Sequence, residues 1–223
     1  MHTFKWLIGA LVVFAIIGIG YQFTGMLLDR LHYPPPGQMI DVGGYRLHLN
    51  CTGKGSPTIL LEAPAPGWSL YWALVQAQVE TVTRVCAYDR AGLGWSDPGP
   101  LPRNGHRMAT ELHRLLDRGD VPGPYILVGH SFGGLVARIY RQEHRKDVVA
   151  MVLVDAGHEL ELRQAEFRTF VNAGKSTMPL LHAMTILGLS RVFASFDSLP
   201  VLLKQHKDKA PEKIRPMLRA GWL

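Results

Sequence analysis

The chain has 223 residues, 47% of them hydrophobic and 19% charged, with a net charge of +6 and a slightly positive mean hydropathy. That composition excludes a disordered chain, a coiled coil and a collagen-like polymer, and it prompts a search for a membrane segment. The basic residues are scattered, as in 138–146 and 204–219, without interleaved aromatics. This argues against nucleic acid as a partner and fits solvated helix faces with a mild pull toward anionic membrane surfaces.

Residues 6–28 form an apolar run preceded by Lys5 and followed by Asp29 and Arg30. As a helix it spans roughly 35 Å, enough for a bilayer core of about 30 Å. An uncleaved single-pass anchor is the preferred reading. A signal peptide and a buried core helix are the alternatives; no A-x-A site follows the small residues Gly18 and Gly20. Lys5 and the amino group favour a cytoplasmic start with the remainder extracytoplasmic, and Arg30 argues against it. Pro34, Pro35 and Pro36 then stiffen a linker. The predicted organisation is an anchor over 1–33, a core over 34–157 and a helical segment over 158–223.

In the core, 39–51 reads as two strands turning at Gly43-Gly44. Alternation places His48 on the solvent side. Residues 58–61 form a buried strand, Ser69 caps a helix over 70–80, and 84–88 is the next strand. It runs into a turn, Asp89-Arg90-Ala91-Gly92-Leu93-Gly94-Trp95-Ser96-Asp97, whose carboxylates read as loop hydrogen-bonding groups. Met108, Leu112, Leu115 and Leu116 mark an amphipathic helix ending near Gly119, with His106 and His113 on its surface. Strands follow at 125–128 and 148–154, with a helix between them. Alternating strands and helices make an α/β protein with a sheet that is parallel after its first strands. Beyond His158 only helices are predicted, over 159–173, 178–188, 190–196 and 198–207, punctuated by Gly174, Pro179 and Pro200.

Gly129-His130-Ser131-Phe132-Gly133 matches G-x-S-x-G between a buried strand and an amphipathic helix. In that context the serine occupies a sharp turn at the carboxyl end of the sheet, with a helix N-terminus favouring developing negative charge. Cys51 and Cys86 have no metal spacing, and the glycine pairs lack a phosphate-loop pattern.

These residues resemble the α/β-hydrolase fold superfamily. The elbow, the Asp89–Asp97 turn and Leu153-Val154-Asp155 stand in the family's order. The resemblance implies a mostly parallel sheet of about six strands with a helical cap. It implies Ser131 as nucleophile toward esters or related acyl substrates, needing no metal or organic cofactor. Backbone N–H groups of Phe132 and Ala65 would form the oxyanion hole, with Gly67 as a substitute donor; Trp68, at a strand end near the site, reads either as pocket lining or as plain packing. Pro64 and Pro66 depart from the glycines expected there, and proline donates no N–H.

The family places its general base on a loop after an eighth strand. Six strands are counted here, so the chain looks truncated and its own activity is in question. Asp155 and His158 are the candidate acid and base; His130 and His182 are weaker substitutes for the base. A non-catalytic ligand-binding or scaffold protein on the same fold is the alternative. An uncovered apolar edge at the sixth strand predicts self-association. In the family's strand order Cys51 and Cys86 fall on neighbouring strands, where a disulfide can form if the domain is extracytoplasmic.

Overall fold

The computed structural model describes residues 2–195. The chain divides into two compact units: residues 35–162, and a helical unit drawing on both the N-terminal helix and residues from Arg163 onward.

The first unit is built on a six-stranded sheet. Its strands are β1 (Gln38–Asp41), β2 (Arg46–Thr52), β3 (Thr58–Glu62), β4 (Val85–Tyr88), β5 (Tyr125–His130) and β6 (Val148–Val154). They lie in the order β1-β2-β4-β3-β5-β6. β1 pairs β2 antiparallel, β2 pairs β4 antiparallel, and all remaining pairings are parallel. The β1–β2 hairpin turns at Gly43 and Gly44, both at positive φ, and the Asp41 carboxylate accepts hydrogen bonds from both amides. Cys51 and Cys86 are direct cross-strand partners on β2 and β4 and are joined by a disulfide.

The crossovers hold a short helix α2 (Ala73–Val79), and the longer helices α3 (Gly105–Arg118) and α4 (Phe132–Glu143). The predicted helix over 70–80 instead opens with a 3-10 turn, Ser69–Trp72, and the Ser69 side chain caps nothing. Its hydroxyl lies 3.4 Å from the His48 ring. Asn104 caps α3 by accepting from the Arg107 amide. Leu112, Leu115 and Leu116 of α3 pack with Leu47, Leu49, Leu127, Ala137 and Tyr140 in the main core. A second cluster of Leu61, Trp72, Val85 and Ala87 lies apart from it. β6 leaves Val149, Val152, Leu153 and Val154 exposed.

In the helical unit, α1 (His2–His32) contains an apolar stretch, Phe4–His32, long enough to cross a membrane. A single helix follows at α5 (Ala165–Ile186), where the sequence predicts a break at Gly174 and Pro179. Pro179 removes its own amide from the helical ladder, the bond that would reach the Lys175 carbonyl, and its ring crowds that carbonyl, yet the helix continues through it. Thr177 donates its hydroxyl to the Ala173 and Gly174 carbonyls in the same turn. α6 (Leu189–Ser195) matches the predicted helix over 190–196. Arg191 of α6 pairs with Asp29 of α1 at 2.6 Å. The predicted helix over 198–207 and the basic residues of 204–219 lie outside the described residues.

Candidate active site

Ser131 connects β5 directly to α4, with φ +51° and ψ −119°. An L-residue with a side chain adopts that conformation at a cost of order 1–3 kcal/mol. The glycines around it show why the sequence accepts this cost. A Cβ on Gly129 would lie 2.7 Å from the Gly134 Cα, and one on Gly133 would lie 2.4 Å from the Glu62 carbonyl oxygen. The elbow is therefore pressed against the carboxyl ends of β3 and β5, at a distance only glycine permits. Main-chain bonds fix it further. The Ser131 amide donates to Val154, and the Gly134 and Gly157 amides donate to the Ser131 carbonyl at 3.0 and 3.1 Å. Ser131 is half-buried, and its hydroxyl has no hydrogen-bond partner among the described residues.

The loop after β3 is organised by Arg90, a residue whose part sequence reasoning missed. Its guanidinium donates to the Glu62 carboxylate at 3.0 Å and to the carbonyls of Ala63, Pro64 and Gly67 at 2.7, 2.6 and 3.3 Å. It also stands 5.5 Å from the Phe132 ring centroid, a cation–π distance. Glu62 is fully buried and accepts a further bond from the Tyr88 hydroxyl. Burial pushes the Glu62 carboxyl up, against the pull of Arg90 and the two side-chain hydrogen bonds. The Tyr88 hydroxyl is pushed up by burial first and then by the Glu62 charge. The only signal in the sequence was the position of Arg90 inside the Asp89–Asp97 turn.

Of the expected oxyanion groups, Phe132 opens α4, where the first amides have no intrahelical acceptor. Ala65 is exposed in the loop that Arg90 holds, and its N–H has no partner among the described residues. Gly67 departs from the expectation. Its amide donates to the Pro64 carbonyl at 2.8 Å, so that donor is already engaged. Trp68 is half-buried and leads into the 3-10 turn.

Asp155 follows β6 at φ +41° and is exposed. His158 is half-exposed. Its Nδ1 accepts from the Leu160 amide at 3.1 Å, and its Nε2 lies 3.5 Å from Glu159. The Gly157 bond to the Ser131 carbonyl draws this loop to the elbow, but no hydrogen bond joins Ser131, Asp155 and His158 among the described residues. The His130 ring stacks on Tyr71 at 5.3 Å, and its Nδ1 is buried without a partner. His182 lies in the helical unit.

His48 is a correction. It is 0% exposed, and its ring faces two acceptors, the Pro36 carbonyl and Asp89 Oδ2, the latter at 2.9 Å. Alternation placed it on the face opposite the main core, and that face is covered by the proline linker and by Trp95, whose ring centroid lies 4.8 Å away. Asp89 also accepts from the Ser69 and Trp95 amides at 2.7 and 3.0 Å, the loop role expected of it.

A mostly parallel sheet carrying a strained serine at a strand-to-helix turn defines an α/β protein of hydrolase architecture. The family model described as "alpha/beta hydrolase fold" matches residues 57–192, and the chain belongs to that family. It is 31% identical over 187 residues to an uncharacterized vacuolar membrane protein of Saccharomyces cerevisiae, covering 71% of this chain and 29% of that one. It is 30% identical over 116 residues to a soluble epoxide hydrolase of a Corynebacterium species, covering 51% of this chain and 39% of that one. Three further curated relatives are spanned over only 20%, 35% and 41% of their lengths, so the chain spans well under half of each of these proteins. The solved structure of Est816, titled an N-acyl homoserine lactone degrading enzyme, superimposes with a TM-score of 0.56 at 18% identity. It covers 83% of this chain and 65% of that one, a likeness of fold.

Proposed function

We propose that the protein is a membrane-anchored serine hydrolase acting on carboxylic esters or related acyl substrates. One observation carries the reading: Ser131 holds a left-handed backbone at the N-terminus of α4 while its hydroxyl is unengaged. Strain of this kind persists where the surrounding structure enforces it, and it concentrates at functional sites.

In the proposed reaction Ser131 Oγ attacks the acyl carbonyl and gives its proton to a base. The Phe132 and Ala65 amides hold the negative oxygen, and the collapse of the tetrahedral adduct releases the alcohol. Water then hydrolyses the acyl-enzyme. His158 is the proposed base and Asp155 its acid partner. In that role His158 exchanges its bond from the Leu160 amide for the Ser131 proton, a change open to a half-exposed ring. A cap role is proposed for the helical segment that follows the sheet, which begins among the described residues with α5. The α1 helix is the anchor, and the Cys51–Cys86 disulfide supports an oxidising, extracytoplasmic setting for the sheet unit. The exposed valines and leucine of β6 support self-association.

The second reading is a non-catalytic ligand-binding or scaffold protein. It is favoured by one observation, that no imidazole bonds to the Ser131 hydroxyl among the described residues. A fluorophosphonate probe separates the two. Labelling of the full chain that disappears in Ser131→Ala supports the hydrolase, and absence of labelling in the wild type supports the binding protein.

A further inference from the structure

At the opposite rim of the sheet, three side chains that sequence spacing keeps apart come together. His113 lies on α3, His144 terminates α4, and Asp147 stands in the turn that enters β6. One donor atom from each lies within 4.8 Å of the other two. The two imidazoles stack with centroids 3.9 Å apart and planes at 11°. His144 and Asp147 are half-buried and His113 lies at the surface, and among the described residues none of the three side chains is engaged in a hydrogen bond or an ion pair.

The backbone beneath them is fixed. The His144 amide donates to Tyr140 at 2.8 Å, the Asp147 amide to His144 at 3.1 Å, and the Tyr125 amide to the Asp147 carbonyl at 2.7 Å. A cavity of about 530 Å³ opens beside the cluster. His113 and Asp147 form part of its wall, together with Asp117, Asp120, Tyr125 and Lys146.

We propose that His113, His144 and Asp147 form a binding site for a divalent transition-metal ion, with zinc the best match to the donor set. Two imidazole nitrogens and one carboxylate oxygen are a common three-ligand set for zinc, which leaves one tetrahedral position for water or another ligand. In a tetrahedral site, zinc bonds of about 2.0–2.2 Å place neighbouring donors about 3.3–3.6 Å apart. Donors within 4.8 Å of one another therefore need to close by up to about 1.5 Å. The stacked rings lie in nearly parallel planes, so binding replaces the stack with two rings tilted toward a common point. An ion here ties α3, the end of α4 and the start of β6 together, on the rim away from Ser131, and the site does not depend on the hydrolase reading.

The test is calorimetric titration of the full chain in detergent micelles with zinc chloride. One equivalent should bind, and the melting temperature should rise with zinc. Disturbing groups behind a metal ligand already costs about 10–100-fold in affinity. Each of His113→Ala, His144→Ala and Asp147→Asn should therefore weaken binding by about 100-fold or more, and His106→Ala should not. Asp147→Asn keeps the side-chain volume and decides the matter if an imidazole deletion disturbs packing. No saturable binding to the wild type, or undiminished binding in any of the three variants, overturns the proposal.

Discussion

Two turns at the carboxyl rim of the sheet handle polar groups in opposite ways. After β4, Asp89 and Arg90 are buried, and each has several partners: Asp89 joins His48 and two loop amides, and Arg90 joins Glu62 and three carbonyls. After β5, Ser131 occupies a strained backbone, and its hydroxyl is bonded to nothing among the described residues. Buried charges that are fully partnered hold a scaffold in one arrangement. A strained and unsatisfied hydroxyl does nothing for stability. The contrast assigns architecture to the first turn and chemistry to the second.

Substitutions at the two turns should therefore separate stability from activity. The largest effect on turnover is expected from Ser131→Ala, which should remove esterase activity and probe labelling while leaving the melting temperature almost unchanged. Ser131→Gly should also be inactive, yet more stable than the wild type by about 1 kcal/mol, because glycine adopts the positive φ without strain. Denaturant melts of the two variants measure this. If Ser131→Gly is less stable, the strain at the elbow is not real.

Asp89→Ala should destabilise by about 3–5 kcal/mol, since it leaves a buried imidazole and two amides without their acceptor. A loss below 1 kcal/mol would remove the scaffold assignment. Opening the Cys51–Cys86 bridge, which closes a separation of 35 residues, should cost about 2–4 kcal/mol, read as a fall in melting temperature on reduction. Gly133→Ala should cost about 1–3 kcal/mol and depress turnover, because its methyl group meets the Glu62 carbonyl at the foot of the oxyanion loop.

The smallest effect concerns pH. Burial first, and then the adjacent His113, lower His144 from its ordinary 6.5, while Glu143 and Asp147 pull the other way. The unfolded chain then takes up this proton first as pH falls. The contribution is neutral well above pH 6.5 and turns destabilising below it, levelling off beneath the folded value. His144→Asn should flatten that part of the stability curve in metal-free protein.

The strand positions and the elbow could be read from the sequence because continuous apolar runs and the glycines around Ser131 are local signals, whereas the order of the strands in the sheet came only through the family resemblance. The covering of His48 could not be read, since it comes from the Pro36 carbonyl and from Trp95 across the fold. Arg90 stood in the sequence beside Asp89, but its four acceptors belong to a loop more than twenty residues away. Gly67 was a reasonable donor on paper, and a local turn to Pro64 engages it. The pairing of His113 with His144 and Asp147 has no spacing signature, because the sheet brings α3 against the end of α4. The continuity of α5 through Pro179 went unseen because proline's missing amide and its ring's clash with the preceding turn argue against a helix interior in any local pattern.

The most direct test of the central claim is the site of covalent capture. The full chain, treated with a fluorophosphonate and digested, should yield one adduct, on the peptide containing Ser131, formed at a rate that falls as His158 is replaced by alanine. An adduct on another serine, or none on a folded protein, would contradict the assignment of Ser131 as the nucleophile.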